Sequence, residues 1–265
     1  MLASQYPVAG TIARAVEACF PATSALARRS AAEVLAGMLD LTASVRLADC
    51  LGPVAPPPAG MTFQAPLLLG DYVRTRLASI DDATRRRLER PFDGLRIRVA
   101  DPLRLFAQLV SSEGAKSPEA ARAFAEATWR TYRDFLLASV MRVRAEVAEL
   151  RDEVASDLRS ASPRGAKLEA LDAIVRGALN DAVPALCERL TMAMEAPFVE
   201  ALTAATLRLT ALEAVESSAI APWFAPHAVL GAQLARTGEV VRALLAHDGR
   251  SLVMLVDTAC QGEER

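Results

Sequence analysis

Lysine is nearly missing from this chain, histidine and the aromatic residues are scarce, and no two cysteines lie near each other. Lys116 and Lys167 are the lysines among 30 basic residues, an arginine preference that GC-rich codon usage accounts for. The two histidines, His227 and His247, stand alone, so no metal-protease spacing exists; a lone helical histidine is more often structural or exposed than a ligand. Serine-hydrolase, dinucleotide and phosphate-loop motifs are also missing. Cys19, Cys50, Cys187 and Cys260 form no CxxC pair, which excludes a zinc or disulfide framework. They read as small buried hydrophobes of a reducing compartment. With aromatics at 5%, the core has to be built from alanine, leucine and valine.

A strong charge of either sign is missing too. The formal net charge is -2, which argues against a general nucleic-acid binder. The start of the chain, "MLASQYPVAGTIARAVEACF", has no basic stretch followed by an apolar run and does not read as a secretory signal. No segment has the length and apolarity of a membrane span. The nearest, "SSAIAPWFAPHAVLGAQLA" at 217–235, holds two prolines, a histidine and a glutamine, and reads as a buried connection leading into a helix.

What is present is helix grammar. Hydrophobic residues make up 52% of 265, enough for one large helical domain or two small ones. Residues 1–52 read as short helices, with Leu26, Val34, Leu35, Met38 and Leu39 on one face and Thr23 or Ser24 as the N-cap. Residues 53–66, with Pro56, Pro57 and Pro58 in succession, read as a Pro-rich linker. Residues 67–116 read as small helices and a basic loop: one helix to Ile80, a short second one opened by Asp81 and Asp82, a turn over 91–102, and "PLRLFAQLV".

Residues 117–216 carry the strongest pattern. Ser117 is placed to cap a helix, with Pro118 at its first position and Glu119 near the positive end of its dipole. Trp129, Tyr132, Leu136, Val140, Val143, Val147, Leu150, Val154 and Leu158 then step by three or four. Arg142, Arg144, Glu146, Glu149, Arg151, Asp152 and Glu153 are expected on the other faces. Ser160, Ser162, Pro163 and Gly165 break the pattern, which restarts at Leu168, Leu171, Val175, Leu179, Val183, Leu186, Leu190 and Met194. Pro184 and Pro197 should kink or interrupt this second stretch. Neither stripe is stable alone with its apolar side in water. A short connection makes the two antiparallel neighbours, a coiled-coil-like pairing within one chain. Residues 217–259 form a C-terminal helical segment expected to break at Gly249, and 260–265 a tail. The predicted fold is all-α, a long antiparallel helical hairpin with smaller helices packed around it.

Two stretches, "LAGMLDLTASVRLADCL" and "YRDFLLASVMRVRAEVAELRDEVASDLRSASPRGAKLEALDAIVRGAL", resemble a bacterial family known as domain of unknown function 3348. The similarity takes in 39–43, the Ser162–Pro163 turn, the restart at 168–173 and the helix at 229–245. It implies no activity, cofactor or catalytic residue. Its context implies a cytoplasmic accessory of an envelope complex, beside a motor-like proton channel with a long coiled coil and an OmpA-like cell-wall-binding protein.

Candidate chemistry is thin. Asp81/Asp82, Asp152/Glu153 and Glu263/Glu264 are adjacent pairs, whose side chains diverge on a helix and form no dyad by spacing alone. Glu146, Glu149 and Glu153 share a face, but a di-iron bundle needs Glu-x-x-His pairs and none occurs. No metal or cofactor is expected. The run "TRRRLERPFDGLRIR" supplies Arg85, Arg86, Arg87, Arg90, Arg96 and Arg98 as the partner-binding candidates, set against a solvated helix face as the plain alternative. The expected function is a non-catalytic helical adaptor or scaffold, located in the cytoplasm and joined to the membrane through partners. A protein partner is expected and nucleic acid is not. The alternatives are an amphipathic lipid-surface binder in peripheral membrane contact and, more remotely, an enzyme with an unrecognised site.

Overall fold

The computed structural model describes residues 66–89, 101–111, 117–180, 182–210 and 217–260. The described residues are all-α: six α-helices and one 3-10 helix, with no strand among them. The helices are α1 (Pro66–Glu89), α2 (Pro102–Ser111), α3 (Pro118–Ala161), α4 (Pro163–Asn180), α5 (Ala182–Thr210) and α6 (Val229–Cys260); the 3-10 helix is Ser217–Phe224. The short helices of 1–52, the Pro-rich linker apart from Pro66, and the turn after Arg90 lie outside the described residues.

Local chemistry sets the ends of α3. The Ser117 hydroxyl accepts from the Ala120 amide at 3.1 Å, and the Ser117 carbonyl accepts from Ala121 at 2.9 Å. Bonds to its own backbone amide and to Ser117 hold the Glu119 carboxyl below its usual pKa. At the far end only Ser162 separates α3 from α4. Its hydroxyl accepts from the Gly165 amide at 3.0 Å and its carbonyl from Ala166 at 3.0 Å, with Pro163 in the position where a missing N–H costs nothing. Gly165 is required by packing: a Cβ there would collide with the carbonyl oxygen of Leu158, backbone that cannot swing aside.

The described residues form two compact units, each assembled from discontinuous segments: those within 66–81, 143–186 and 243–260 in one, those within 82–142 and 187–242 in the other. In the first, four helices meet. Tyr72 of α1 donates to Glu153 of α3 at 2.7 Å, and Arg74 pairs with Asp257 of α6 at 2.7 Å. Leu77 packs on Gly249. Arg159 and Arg151 of α3 meet Glu169 and Asp172 of α4, and Arg164 of α4 donates to the Thr258 carbonyl of α6. Position numbers rise on one helix as they fall on its neighbour in the α1–α6 and α3–α4 pairs. Arg151 joins Asp172 to the Asp248 and Ser251 turn of α6, so α4 also runs opposite to α6. The core holds Val73, Val147, Leu150, Val154, Leu158, Leu252 and Val256.

In the second unit the Phe198 ring of α5 sits 5.3 Å from both Trp129 and Tyr132 of α3, tilted 46° and 40°, the separation that suits edge-to-face attraction. Leu136, Leu190, Met194, Leu202 and Leu230 are also buried in this unit. Helix α2 lies against the 3-10 helix, and Gly231 lets the start of α6 pass close to the Ala225 carbonyl.

Four expectations need correction. The second stripe divides between α4 and α5, as a break near Pro184 predicts, but Leu186 is exposed while Leu168, Leu171 and Val175 are half-buried; of the stripe, Leu190 and Met194 are buried. The chain does not break at Asp81/Asp82, since α1 runs through them. Nor does it break at Gly249, because the missing side chain there makes room for Leu77, a packing gain that outweighs a helix-propensity cost of about 1 kcal/mol. The expected interruption at Pro184 accords with the start of α5 there; α5 continues through Pro197, where Pro197 and Ala193, whose carbonyl the proline leaves unbonded, are both exposed to water. The connection at 217–228 is mostly exposed or half-buried, with Ile220 its one fully buried side chain among those described.

Candidate functional site

Arg85, Arg86 and Arg87 lie on the last turns of α1, in a helix as the sequence reading placed them, although in the continuation of α1 and not in a separate short helix. Arg85 pairs with Asp82 at 2.8 Å. Arg86 Nε donates to the Asp82 carbonyl and Arg87 Nε to the Ala83 carbonyl, each at 3.2 Å, and Arg87 Nη2 reaches the Thr84 hydroxyl at 3.1 Å. These cations near a helix C-terminus offset its partial negative charge. Arg85 and Arg86 remain exposed, so both still present N–H groups to solvent. Arg90, Arg96 and Arg98 lie outside the described residues.

The sequence reading missed the most buried charge cluster, which is in the first unit. Arg151 of α3 has 6% of its side chain exposed and Asp172 of α4 has 13%, with Nη1 and Oδ1 at 2.6 Å. Arg151 Nη2 also donates to the Asp248 carbonyl of α6 at 2.9 Å and to the Ser251 hydroxyl. The other oxygen of Asp172 lies 3.1 Å from Arg176 Nε, although that N–H is not aimed well enough for a hydrogen bond. One guanidinium fork thus fastens three helices. Arg151 was assigned to an outer face, yet it follows Val147 by four and precedes Val154 by three, on the edge of the apolar stripe. Asp172 likewise follows Leu168 by four and precedes Val175 by three. Opposite charges embedded in two facing stripes were the available signal.

The cluster's chemistry is structural. The Ser251 hydroxyl donates to the Asp248 carbonyl at 2.9 Å and accepts from Arg151, so no base is poised to take its proton. Of the three glutamates that share a face, Glu153 accepts from Tyr72 and Glu149 is exposed. His227 and His247 are exposed and far apart in sequence, Cys187 is buried and Cys260 half-buried. Among the described residues no group of three or more His, Cys, Asp or Glu side chains could hold a metal ion. No helix of the described residues is long and apolar enough to cross a membrane.

No family model matches the chain, and neither a curated protein nor a solved structure is similar to it at the level searched.

Proposed function

We propose that this protein is a non-catalytic helical adaptor or scaffold whose partner is another protein. The observation that carries the reading is the use made of the buried charge among the described residues: Arg151 is spent, with Asp172 and the exposed Ser251, on fastening α3, α4 and α6 to one another. A hydrolase or transferase of this size would place such groups around a reacting atom, with a base aimed at a nucleophile. A lipid-surface role would draw on the apolar stripe of α3, which is buried in the protein's own core from Trp129 to Leu158. The exposed Arg85 and Arg86, with Arg87 beside them, are the contact residues proposed for a carboxylate-bearing partner. A cytoplasmic location beside an envelope complex is part of the proposal and rests on the family resemblance.

The test is purification of the full chain from its native host under mild crosslinking, followed by stoichiometry. The adaptor reading expects one protein partner at a fixed ratio, lost when Arg85 and Arg86 are changed to Gln and weakened by salt. Flotation with anionic vesicles in place of any protein partner would overturn it in favour of lipid binding, and turnover of a small molecule would overturn it in favour of an enzyme.

A further inference from the structure

Helix α4 is held differently from its neighbours. Along 143–161, α3 buries Val143, Val147, Leu150, Val154 and Leu158, and α6 buries Leu245, Leu252 and Val256. Over 163–177, α4 has no fully buried side chain: its one buried residue is Gly165, and Leu168, Leu171, Ile174 and Val175 are all half-buried. Charged and polar contacts tie it to α3 and α6. Arg164 reaches the Thr258 carbonyl at 3.4 Å, a long bond. Arg159–Glu169 and Arg176–Asp152 span 3.8 Å each, and Arg159 is 59% and Asp152 76% exposed, so water screens both pairs. Arg151–Asp172, by contrast, is short and nearly dry.

The ends of α4 suit movement. Ser162 alone joins it to α3, and α5 begins at Ala182 with Pro184 in its first turn. Gly177, with nothing within 4 Å of an added Cβ, weakens the helix from within.

We propose that α4 is a displaceable helix latched by the Arg151–Asp172 pair, which opens while α3 and α6 stay folded and so uncovers the buried Arg151. The energetics favour such a latch. A buried ion pair roughly balances its own desolvation, so it specifies the closed position without adding much net stability. Once α4 moves away, Arg151 regains water and keeps its bonds to Asp248 and Ser251, so the open state leaves no charge stranded. Apolar burial, by contrast, resists opening in proportion to area.

Hydrogen exchange read by mass spectrometry on the full chain tests this. In the native protein, amides of 166–177 should exchange at least about tenfold faster than those of 147–158 and 245–256, as expected of a separately opening unit. Asp172→Asn should speed α4 further and leave the other two segments unchanged. The double replacement Arg151→Met with Asp172→Leu should slow α4 and remove its response to salt. If the three segments exchange at one common rate, or if Asp172→Asn accelerates them together, α4 belongs to the cooperative core and the latch is wrong. Should Asp172→Asn fail to fold, the native profile decides, and Glu169→Gln, which removes only a water-screened pair, should leave the exchange of α4 nearly unchanged.

Discussion

Gly165 and Gly177 lie in the same helix and are expected to answer the same substitution with opposite signs. Alanine is favoured over glycine in a helix interior by about 1 kcal/mol. At Gly177 nothing opposes that preference, since an added methyl meets no atom within 4 Å. Gly177→Ala should therefore stabilise by about 0.5–1 kcal/mol. At Gly165 the same methyl meets the Leu158 carbonyl oxygen and the carbonyl carbon behind it at 3.1 Å, both backbone. Relief requires shifting the end of α3 or the start of α4, and overpacking of that kind costs about 1–3 kcal/mol. Sterics outweigh propensity, and Gly165→Ala should destabilise. Urea titrations of the two variants beside the parent check the pair of signs. Ser162 belongs to the same turn, and Ser162→Ala, which removes the acceptor of the Gly165 amide, should cost about 1 kcal/mol by the same measurement.

Between helices, the Tyr72–Glu153 bond gives α1 a pH dependence of known sign. Donation to Glu153, with some burial and the carboxylate's charge, raises the phenol above the usual tyrosine value of 10.0. The folded-state pKa exceeds the unfolded one, so the contribution is complete below the unfolded value and is lost as pH rises through the folded one. Alkaline pH should loosen α1 from α3, and Tyr72→Phe should flatten the fall of melting temperature on the alkaline side. Equal slopes in both proteins would leave the bond without energetic weight. The α3–α4 pairing is testable by a crosslink: cysteines at Leu150 and Val175, in a background without the native four, should join within one chain, whereas dimers alone would place the two stripes in different molecules. Helix α3 was legible in the sequence from cap to last turn, because a capping serine, a proline at the first position and nine apolar residues at helical spacing all specify the same element. The breaks read less well. Asp81/Asp82 and Gly249 look like interruptions locally, and each lies inside a helix whose neighbours hold it: Ile80 and Thr84 are buried on either side of the first, and Leu77 covers the second. Tertiary packing overrides propensity at such places, and no window of sequence contains the partner that does it. The Arg151 cluster was missed for a related reason: a charge on the edge of a stripe looks solvated until the opposite charge on the facing helix is identified.

For the molecule as a whole, a formal charge of -2 conceals how its cations are used. Arg151 is consumed in the core, and Arg74, Arg122 and Arg133 are paired with carboxylates on the surface. Arg85, Arg86 and Arg87 combine two tasks, bonding the last turns of α1 and presenting guanidinium groups outward, and a test of partner binding has to separate them. Reversal to glutamate confounds the two. It changes the formal charge by six units, from -2 to -8, and puts anions at the negative end of a helix dipole, at a cost of about 0.3–1 kcal/mol each. Glutamine removes the charge while keeping a long side chain with N–H donors. The triple change of Arg85, Arg86 and Arg87 to Gln is therefore expected to keep the far-ultraviolet circular dichroism of the parent and to lower stability by about 1 kcal/mol or less. If these arginines dock a carboxylate-bearing partner, the same protein should lose most of its partner at low salt, and the parent should lose it progressively as salt rises. If partner recovery is unchanged at every salt concentration, the three arginines act only as the C-terminal cap of α1, and the contact surface lies on another helix, with the 229–245 stretch of α6 the next to vary.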